Sequence, residues 1–300
     1  MIPLATVEAF CRRWFSADPV DLQQLTVGTF NETARVRLSS GETVILRLGP
    51  KGDDGIRNGA AALERAGTLD GLAPRTLALD TWADRTITAQ SVLPGSPASD
   101  RVPDLDDERA ALYFRDLGRV TREVHDVRGE RFGSILNPEW SSWSDAIGSR
   151  LEERVAQYDA SAIDSTALRM LLAALPAARA DLDRADPRLL HGDLWSLNIL
   201  LDDDRISGIV DWDTANWGDP VADWTIHRIR QRVGTAADAF WDTYGELPEH
   251  AEVRSVYGAA LNTAGSRLDI ERRHLAIDDI PPEHWDLDPI AQAAAALGLR

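Results

Sequence analysis

The chain has 300 residues, with 32 Lys and Arg against 49 Asp and Glu and a formal net charge of −17. All of its cationic residues except Lys51 are arginine, and Lys51 is followed by Gly-Asp. A Walker A loop needs Gly-Lys-Ser/Thr, so the sequence excludes an ordinary P-loop nucleotide-binding protein. The negative charge also disfavours nucleic acid as a partner, because binding to a phosphate backbone depends on a positive field.

The rest of the composition indicates a folded protein of one large domain or two lobes. Apolar residues make up 44% of the chain, enough for a sizeable core. The single cysteine, Cys11, permits no internal disulfide, and the six histidines show no zinc-site spacing. No segment approaches the roughly 18 apolar residues of a membrane helix, and the N-terminus lacks a continuous apolar signal region. We therefore expect a cytoplasmic protein without membrane partners.

The first part of the chain has the alternation and turn residues of β-structure. Strands are predicted at residues 24–27, 33–38, 43–48, 75–82 and 86–92, with a helix around residues 60–66. The segment Leu93-Pro94-Gly95-Ser96-Pro97 then interrupts the pattern. This pattern predicts a small, mostly antiparallel β lobe over residues 1–93.

From Asp107 onward the apolar residues follow the helical period. Helical segments are predicted from residue 107, over 151–183 and through most of 221–300, with breaks at Pro248 and Pro281-Pro282. We therefore predict a larger, mainly helical lobe over residues 94–300. The predicted fold class is α+β with two lobes.

One segment of the second lobe has the pattern of a hairpin rather than a helix. The run 202–205 is a turn between the apolar runs 199–201 and 206–210. Asn198 and Asp211 are equidistant from the centre of the hairpin, so we predict that they are cross-strand neighbours whose side chains converge at its open end. An amide oxygen and a carboxylate suit Mg²⁺, which takes few protein ligands and completes its shell with water and phosphate. Asp193, on the loop entering the hairpin, can reach the same cavity.

This arrangement of residues matches the requirements of phosphoryl transfer. Asp193 would orient or deprotonate an attacking hydroxyl, while Asn198 and Asp211 would hold Mg²⁺ on the nucleotide phosphates. The catalytic loop of protein kinases has the same spacing, His-x-Asp with an Asn five residues after the Asp.

Three stretches of this part of the chain resemble the aminoglycoside phosphotransferase family. They are His191-Gly192-Asp193-Leu194-Trp195 through Asn198, Ile209-Val210-Asp211-Trp212-Asp213, and Gly218-Asp219-Pro220 through Asp223. The wider group includes choline, fructosamine, macrolide and homoserine kinases. The resemblance implies a protein-kinase-like fold with Asp193 as catalytic base and Asn198 and Asp211 as metal ligands. It assigns His191 to organising the catalytic loop, with direct base catalysis by His191 as the weaker alternative. Asp219 and Asp223 would be structural acids that accept hydrogen bonds from the catalytic-loop backbone and a helix start.

The resemblance also implies a nucleotide site in the β lobe. Its phosphate loop would lie at residues 27–33, with Gly28 and Thr29 at the tip, although a hairpin turn of ordinary function explains the same residues. The family's strand lysine is replaced by Arg47, which can still bind phosphate oxygens. Glu64 is a candidate partner for Arg47, but the more usual alignment places Asn58 or Gly59 there. The backbone of Ser91 and Val92 would contact adenine.

Three side chains beside the metal and base positions are candidates for substrate binding. Trp195 and Trp212 could stack on a sugar or attract a cation, and Asp213 would favour an amino group. Packing inside the lobe is the alternative for both tryptophans.

The sequence thus predicts an ATP- and Mg²⁺-dependent kinase for a hydroxyl of an aminoglycoside, amino sugar or related polyol. A fructosamine or ketosamine kinase is the alternative within the enzymes. A nucleotide-binding pseudokinase, supported by the arginine at position 47, is the alternative of another class. The acceptor, ATP against GTP, and monomer against homodimer remain open at this point.

Overall fold

A computed structural model describes residues 1–25, 31–67 and 69–299. The first region contains a helix, a five-stranded sheet and a second helix that precedes the last two strands. Its elements are α1 (Leu4–Phe15), β1 (Pro19–Leu25), β2 (Glu32–Leu38), β3 (Thr43–Lys51), α2 (Gly55–Ala66), β4 (Thr76–Trp82) and β5 (Arg85–Ser91).

The sheet is antiparallel throughout, with strand order β1-β2-β3-β5-β4. Helix α1, which the sequence analysis missed, buries Val7, Phe10 and Cys11 against apolar side chains of the sheet. Those positions recur at helical spacing, so the signal for α1 is present but short. Residues 26 and 27, predicted to end a strand, lie outside the described residues.

The second region is mainly helical with short strands between the helices. Its elements are β6 (Ser96–Pro97), α3 (Asp107–Asp126), β7 (Phe132–Ser134), β8 (Pro138–Trp140), α4 (Trp143–Ala160), α5 (Thr166–Leu182), β9 (Arg188–Leu190), β10 (Ile199–Asp202), β11 (Arg205–Ile209), β12 (Asn216–Gly218), α6 (Trp224–Arg230), α7 (Trp241–Tyr244), α8 (Ala251–Arg272) and α9 (Asp288–Ala296).

Several of these helices begin at a residue whose side chain caps the helix N-terminus. Asp106 accepts a hydrogen bond from the Arg109 amide at the start of α3, and Ser142 accepts one from the Asp145 amide at the start of α4. One apolar core joins α2 and α3 to the β10–β11 hairpin, and another joins α4, α5, α8 and α9. The hairpin is thereby packed against α2 and α3.

The sheet and the helical region confirm the predicted α+β class. The first sheet ends at Ser91, and β6 pairs with β10 of the second region. The division at residues 93 and 94 remains a prediction. No helix among the described residues is both long and apolar enough to cross a membrane.

Candidate functional site

The loop entering the β10–β11 hairpin is organised by His191. The His191 ring is 1% exposed, and burial lowers its pKa to about 4, so the ring is neutral. His191 Nε2 donates to the Val210 carbonyl at 3.1 Å, and Nδ1 accepts from the Asp193 amide at 3.3 Å. Both contacts fit one neutral tautomer. A buried, neutral and doubly bonded ring orients the loop, and we therefore propose that His191 positions Asp193 rather than serving as the base.

Gly192 allows this loop to approach the segment that follows Asp211. Its φ is +80°, and a Cβ atom there would lie 2.5 Å from the Thr214 carbonyl oxygen. The Thr214 hydroxyl donates to the His191 carbonyl at 3.2 Å. A side chain at position 192 would separate these two segments, so glycine is required for the close approach.

Asp193 is partly buried and has an elevated pKa. Burial and the nearby charge of Asp211 raise its pKa to about 7, against the opposing effect of hydrogen bonds from Asn198 and Trp195. Asn198 Nδ2 donates to the Asp193 carboxylate at 2.9 Å and to its carbonyl at 2.8 Å. A carboxylate with a pKa near neutrality is suited to accepting a proton.

The hairpin register differs by one residue from the prediction. A bulge between Leu200 and Leu201 shifts the pairing, so Asn198 lies opposite Val210, whose amide donates to the Asn198 carbonyl at 2.9 Å. Asp211 is the next residue and has φ +66°, in the left-handed region that non-glycine residues avoid. Strain of this kind is concentrated at functional sites.

Arg47 on β3 reaches across to both acidic residues of the Asp211-Trp212-Asp213 segment. Its guanidinium contacts Asp211 Oδ1 at 2.5 Å and forms a bidentate pair with Asp213, at 2.8 Å and 3.0 Å. The Arg47 side chain is 9% exposed and that of Asp213 is 14% exposed, whereas Asp211 retains 42%. These carboxylates raise the pKa of Arg47 despite its burial.

The carboxylate partners of Arg47 are therefore Asp211 and Asp213, and the pairing of Arg47 with Glu64 does not form. Glu64 is exposed on α2. The buried polar side chain of that helix is Asn58, whose Nδ2 donates to the Asp213 and Ala215 carbonyls at 3.1 Å and 2.7 Å. A Cβ atom at Gly59 would lie 2.7 Å from Asp213 Oδ1, so α2 approaches this segment too closely to insert an acidic side chain.

Two of the three predicted substrate contacts are engaged by other groups of the protein. Trp212 is 1% exposed, packs on the His191 ring at 4.7 Å and donates its Nε1–H to the Ile209 carbonyl. Asp213 accepts from Arg47 and, at 2.7 Å, from Asn31 Nδ2. Burial contradicts the predicted substrate contact of Trp212. The substrate roles of Asp213, which also lines a cavity, and of Trp195, which is 45% exposed beside Asp193, remain predictions.

The predicted nucleotide contacts are described only in part. Gly28 and Thr29 lie outside the described residues. The Ser91 amide donates to the Arg75 carbonyl at 2.9 Å and is therefore occupied, which leaves Val92 as the hinge position for adenine. Both hinge assignments remain predictions.

Asp219 and Asp223 stabilise the segments behind the catalytic loop. Asp223 caps α6 by accepting from the Thr225 amide at 2.7 Å, and the Thr225 hydroxyl donates to the Leu194 carbonyl at 3.0 Å. Asp219 pairs with buried Arg254 at 2.9 Å. The link from Asp223 to the catalytic loop thus passes through Thr225.

The donor set at the hairpin end fits a divalent cation that needs few protein ligands. Asn198 uses its amide nitrogen for Asp193, so its amide oxygen is the atom available to a metal. Asp211 supplies a half-exposed carboxylate. Over residues 1–25, 31–67 and 69–299 no group of three or more His, Cys, Asp or Glu side chains forms a metal cage. Mg²⁺, which retains water and phosphate ligands, matches this set.

The sequence analysis placed Asn31 in the candidate phosphate loop and Asn58 at an aligned position on α2, but it connected neither to the segment 213–215, and it missed Arg150. Asn31 and Asn58 each lie more than 150 positions from the segment they bind, and no local pattern links them to it. Asn58 could have been found from the sequence, because it occupies the position where the usual alignment expects an acidic residue.

Comparisons with known proteins identify the fold. An aminoglycoside phosphotransferase APH(4)-Ia, in a ternary complex with ADP and hygromycin B, has a TM-score of 0.72 and 19% identity, covering 97% of this chain and 99% of that chain. A macrolide 2'-phosphotransferase MphH from Brachybacterium faecium has a TM-score of 0.60 and 20% identity, with 97% coverage of both. A protein described as a fructosamine-3-kinase from Thermobifida fusca has a TM-score of 0.69 and 20% identity, covering 98% and 100%.

These likenesses confirm the bilobal kinase-like fold. A sequence comparison with curated proteins gave no significant match. The family model described as the phosphotransferase enzyme family matches residues 21–256, most of the chain. The chain therefore belongs to the phosphotransferase enzyme family and is a small-molecule phosphotransferase.

Proposed function

We propose that the protein transfers the γ-phosphoryl group of ATP, with Mg²⁺, to a hydroxyl of a small molecule such as an aminoglycoside, amino sugar or related polyol. The observation that supports this most directly is the convergence of three groups on one hairpin end. Asp193 carries the elevated pKa, Asn198 binds Asp193, and Asp211 binds Arg47 of the sheet. ADP and AMP-PNP occupy complexes of the structurally similar APH(4)-Ia, which agrees with a nucleotide donor.

The chain's own residues divide the reaction between them. The acceptor hydroxyl oxygen forms a bond to the γ-phosphorus, the bond from that phosphorus to the bridging oxygen of ADP breaks, and Asp193 accepts the hydroxyl proton. Asn198 and Asp211 would hold Mg²⁺, which neutralises phosphate charge when bound. Arg47 contributes a buried cation on the nucleotide side. His191 keeps the Asp193 loop in place through the contacts to Val210 and the Asp193 amide.

An acceptor screen tests this proposal. ADP release is measured with aminoglycosides, hexosamines, macrolides, amino alcohols and fructosamines, with product identified by mass spectrometry. We expect turnover with at least one acceptor and its loss on chelation of Mg²⁺. D193N should reduce turnover by at least about 100-fold because the proton acceptor is removed.

The control is R35Q, at an exposed position on β2. It should retain turnover, and D193N should keep the wild-type melting temperature and MgATP affinity. Unchanged turnover in D193N would contradict the assignment of the base. Binding of MgATP without phosphotransfer to any acceptor would favour a pseudokinase, and a product restricted to glycated amines would favour the fructosamine kinase alternative.

A further inference from the structure

A cavity of about 500 Å³ lies beside the catalytic loop, on the other side of the segment that follows Asp213. Its walls come from the start of α2, from α4, from α8 and from that segment. Thr214 lines the cavity and donates to the His191 carbonyl, two residues before Asp193. Thr214 therefore connects one wall of the cavity to the catalytic loop.

The cavity is lined by two arginines of α4 that have no carboxylate partner in the part of the chain that the structure describes. Arg150 makes one long hydrogen bond, to Asn216 Oδ1 at 3.4 Å, and its guanidinium lies 5.4 Å from the centre of the Trp143 ring. Arg154 donates to the neutral Gln157 Oε1 at 2.6 Å. Burial, with the like charge of Arg154, lowers the pKa of Arg150 to about 10, so it still carries its charge at neutral pH.

The acidic residues that line the same cavity form no ion pair with these two arginines. Asp213 is bound bidentately by Arg47. Glu153 is exposed and accepts from Gln157 Nε2 at 2.8 Å, although its charge still opposes the lowering of the Arg150 pKa. Asp54 is exposed at the start of α2. Arg150 and Arg154 therefore line the cavity without a carboxylate ion pair of their own among the described residues, beside the exposed carboxylates of Asp54 and Glu153.

We propose that this cavity binds an anionic oxygen group of the acceptor, a carboxylate or a phosphate, through Arg150 and Arg154. This inference rests on the proposed function, because it places the acceptor hydroxyl at Asp193 and the anionic group on α4. A buried guanidinium without a counter-ion destabilises its surroundings, and an anion supplies both the opposite charge and acceptors for its fork of N–H groups. Sugar acids, sugar phosphates and glycated amino acids fit this description, whereas the two arginines would repel a polycationic acceptor.

Matched acceptor pairs test the assignment. Glucose is compared with glucuronate and with glucose 6-phosphate. Fructosyl-glycinamide is compared with fructosyl-glycine, and these two compounds differ in charge at one group. Binding to the full chain is measured by calorimetry with AMP-PNP and Mg²⁺ present, which keeps phosphate out of the nucleotide site. Turnover is measured separately with ATP.

We expect at least one anionic member to bind about tenfold or more tightly than its neutral counterpart. That ratio should fall at least about tenfold in R150Q and should persist in R35Q, the exposed control. The carboxylate and phosphate members distinguish the two anion types. Because R150Q could disturb folding, melting temperatures accompany each measurement and R154Q serves as a second variant.

The outcomes separate this inference from the proposed function. Arg150-dependent binding of an anionic compound without its phosphorylation would uphold the site and count against the kinase proposal. If neutral acceptors are turned over and the ratio of anionic to neutral binding affinity is the same in wild type, R150Q and R154Q, the anion site is overturned. The kinase proposal then still stands. Absence of binding by every anionic compound would also overturn it.

Discussion

Two arginines border the catalytic segment from opposite sides, and their surroundings differ. Arg47 on β3 is buried and binds two carboxylates, Asp211 and Asp213. Arg150 on α4 has no ion pair among the described residues. Its guanidinium forms one long hydrogen bond, to the Asn216 side chain, and lies over the indole ring of Trp143. A buried charge that is paired within the chain is part of the folded structure, whereas an unpaired one is available to a ligand. The comparison separates a cation that is paired within the chain from a cation that we propose to be available to the acceptor.

The largest expected effect comes from removing the partner of Arg47. D213A leaves a buried guanidinium with Asp211 as its remaining carboxylate, so we expect the free energy of unfolding to fall by about 3 kcal/mol, the lower end of the range for broken buried pairs. Urea unfolding followed by circular dichroism measures this change. A loss below about 1 kcal/mol would mean that Arg47 is not anchored by Asp213.

A smaller effect is expected from changing the shape of the paired cation. R47K keeps the charge but cannot form the bidentate contact with Asp213, so we expect MgATP affinity to weaken by about tenfold. Equilibrium titration with a fluorescent ATP analogue measures the dissociation constant. E64Q, which alters the exposed residue first considered as the partner, should change it less than about twofold. A stronger effect for E64Q than for R47K would restore the pairing with Glu64.

The smallest effect on stability is expected on the unpaired side. R150Q removes a desolvated charge, which offsets the lost contact with Trp143, so the unfolding free energy should stay within about 1 kcal/mol of wild type. The same urea unfolding assay provides the comparison with D213A. A loss as large as that of D213A would show that Arg150 has a structural partner and would remove the contrast between the two arginines.

The sequence by itself determined the parts of the site that are close together along the chain. The Asp193-to-Asn198 interval, the turn at residues 202–205 and the acidic residue after the second strand all lie within one hairpin, where local geometry fixes the neighbours. Because Lys51 is the only lysine of the sequence, Arg47 was the cation within the predicted third strand, residues 43–48. The family and the α+β class followed from the same motif and the change from strand to helix period.

The tertiary structure decided which distant side chains meet. Asp213 rather than Glu64 pairs with Arg47 because α2 approaches the segment at Gly59 and turns Glu64 outward. Trp212 was a candidate for substrate binding, but its position against His191 places it in the core. A bulge of one residue moved Asn198 opposite Val210. Composition also did not indicate that Arg150 and Arg154, which line the cavity, have no ion pair among the described residues. Net charge is a sum over the whole chain, whereas a ligand contacts only the few groups around it.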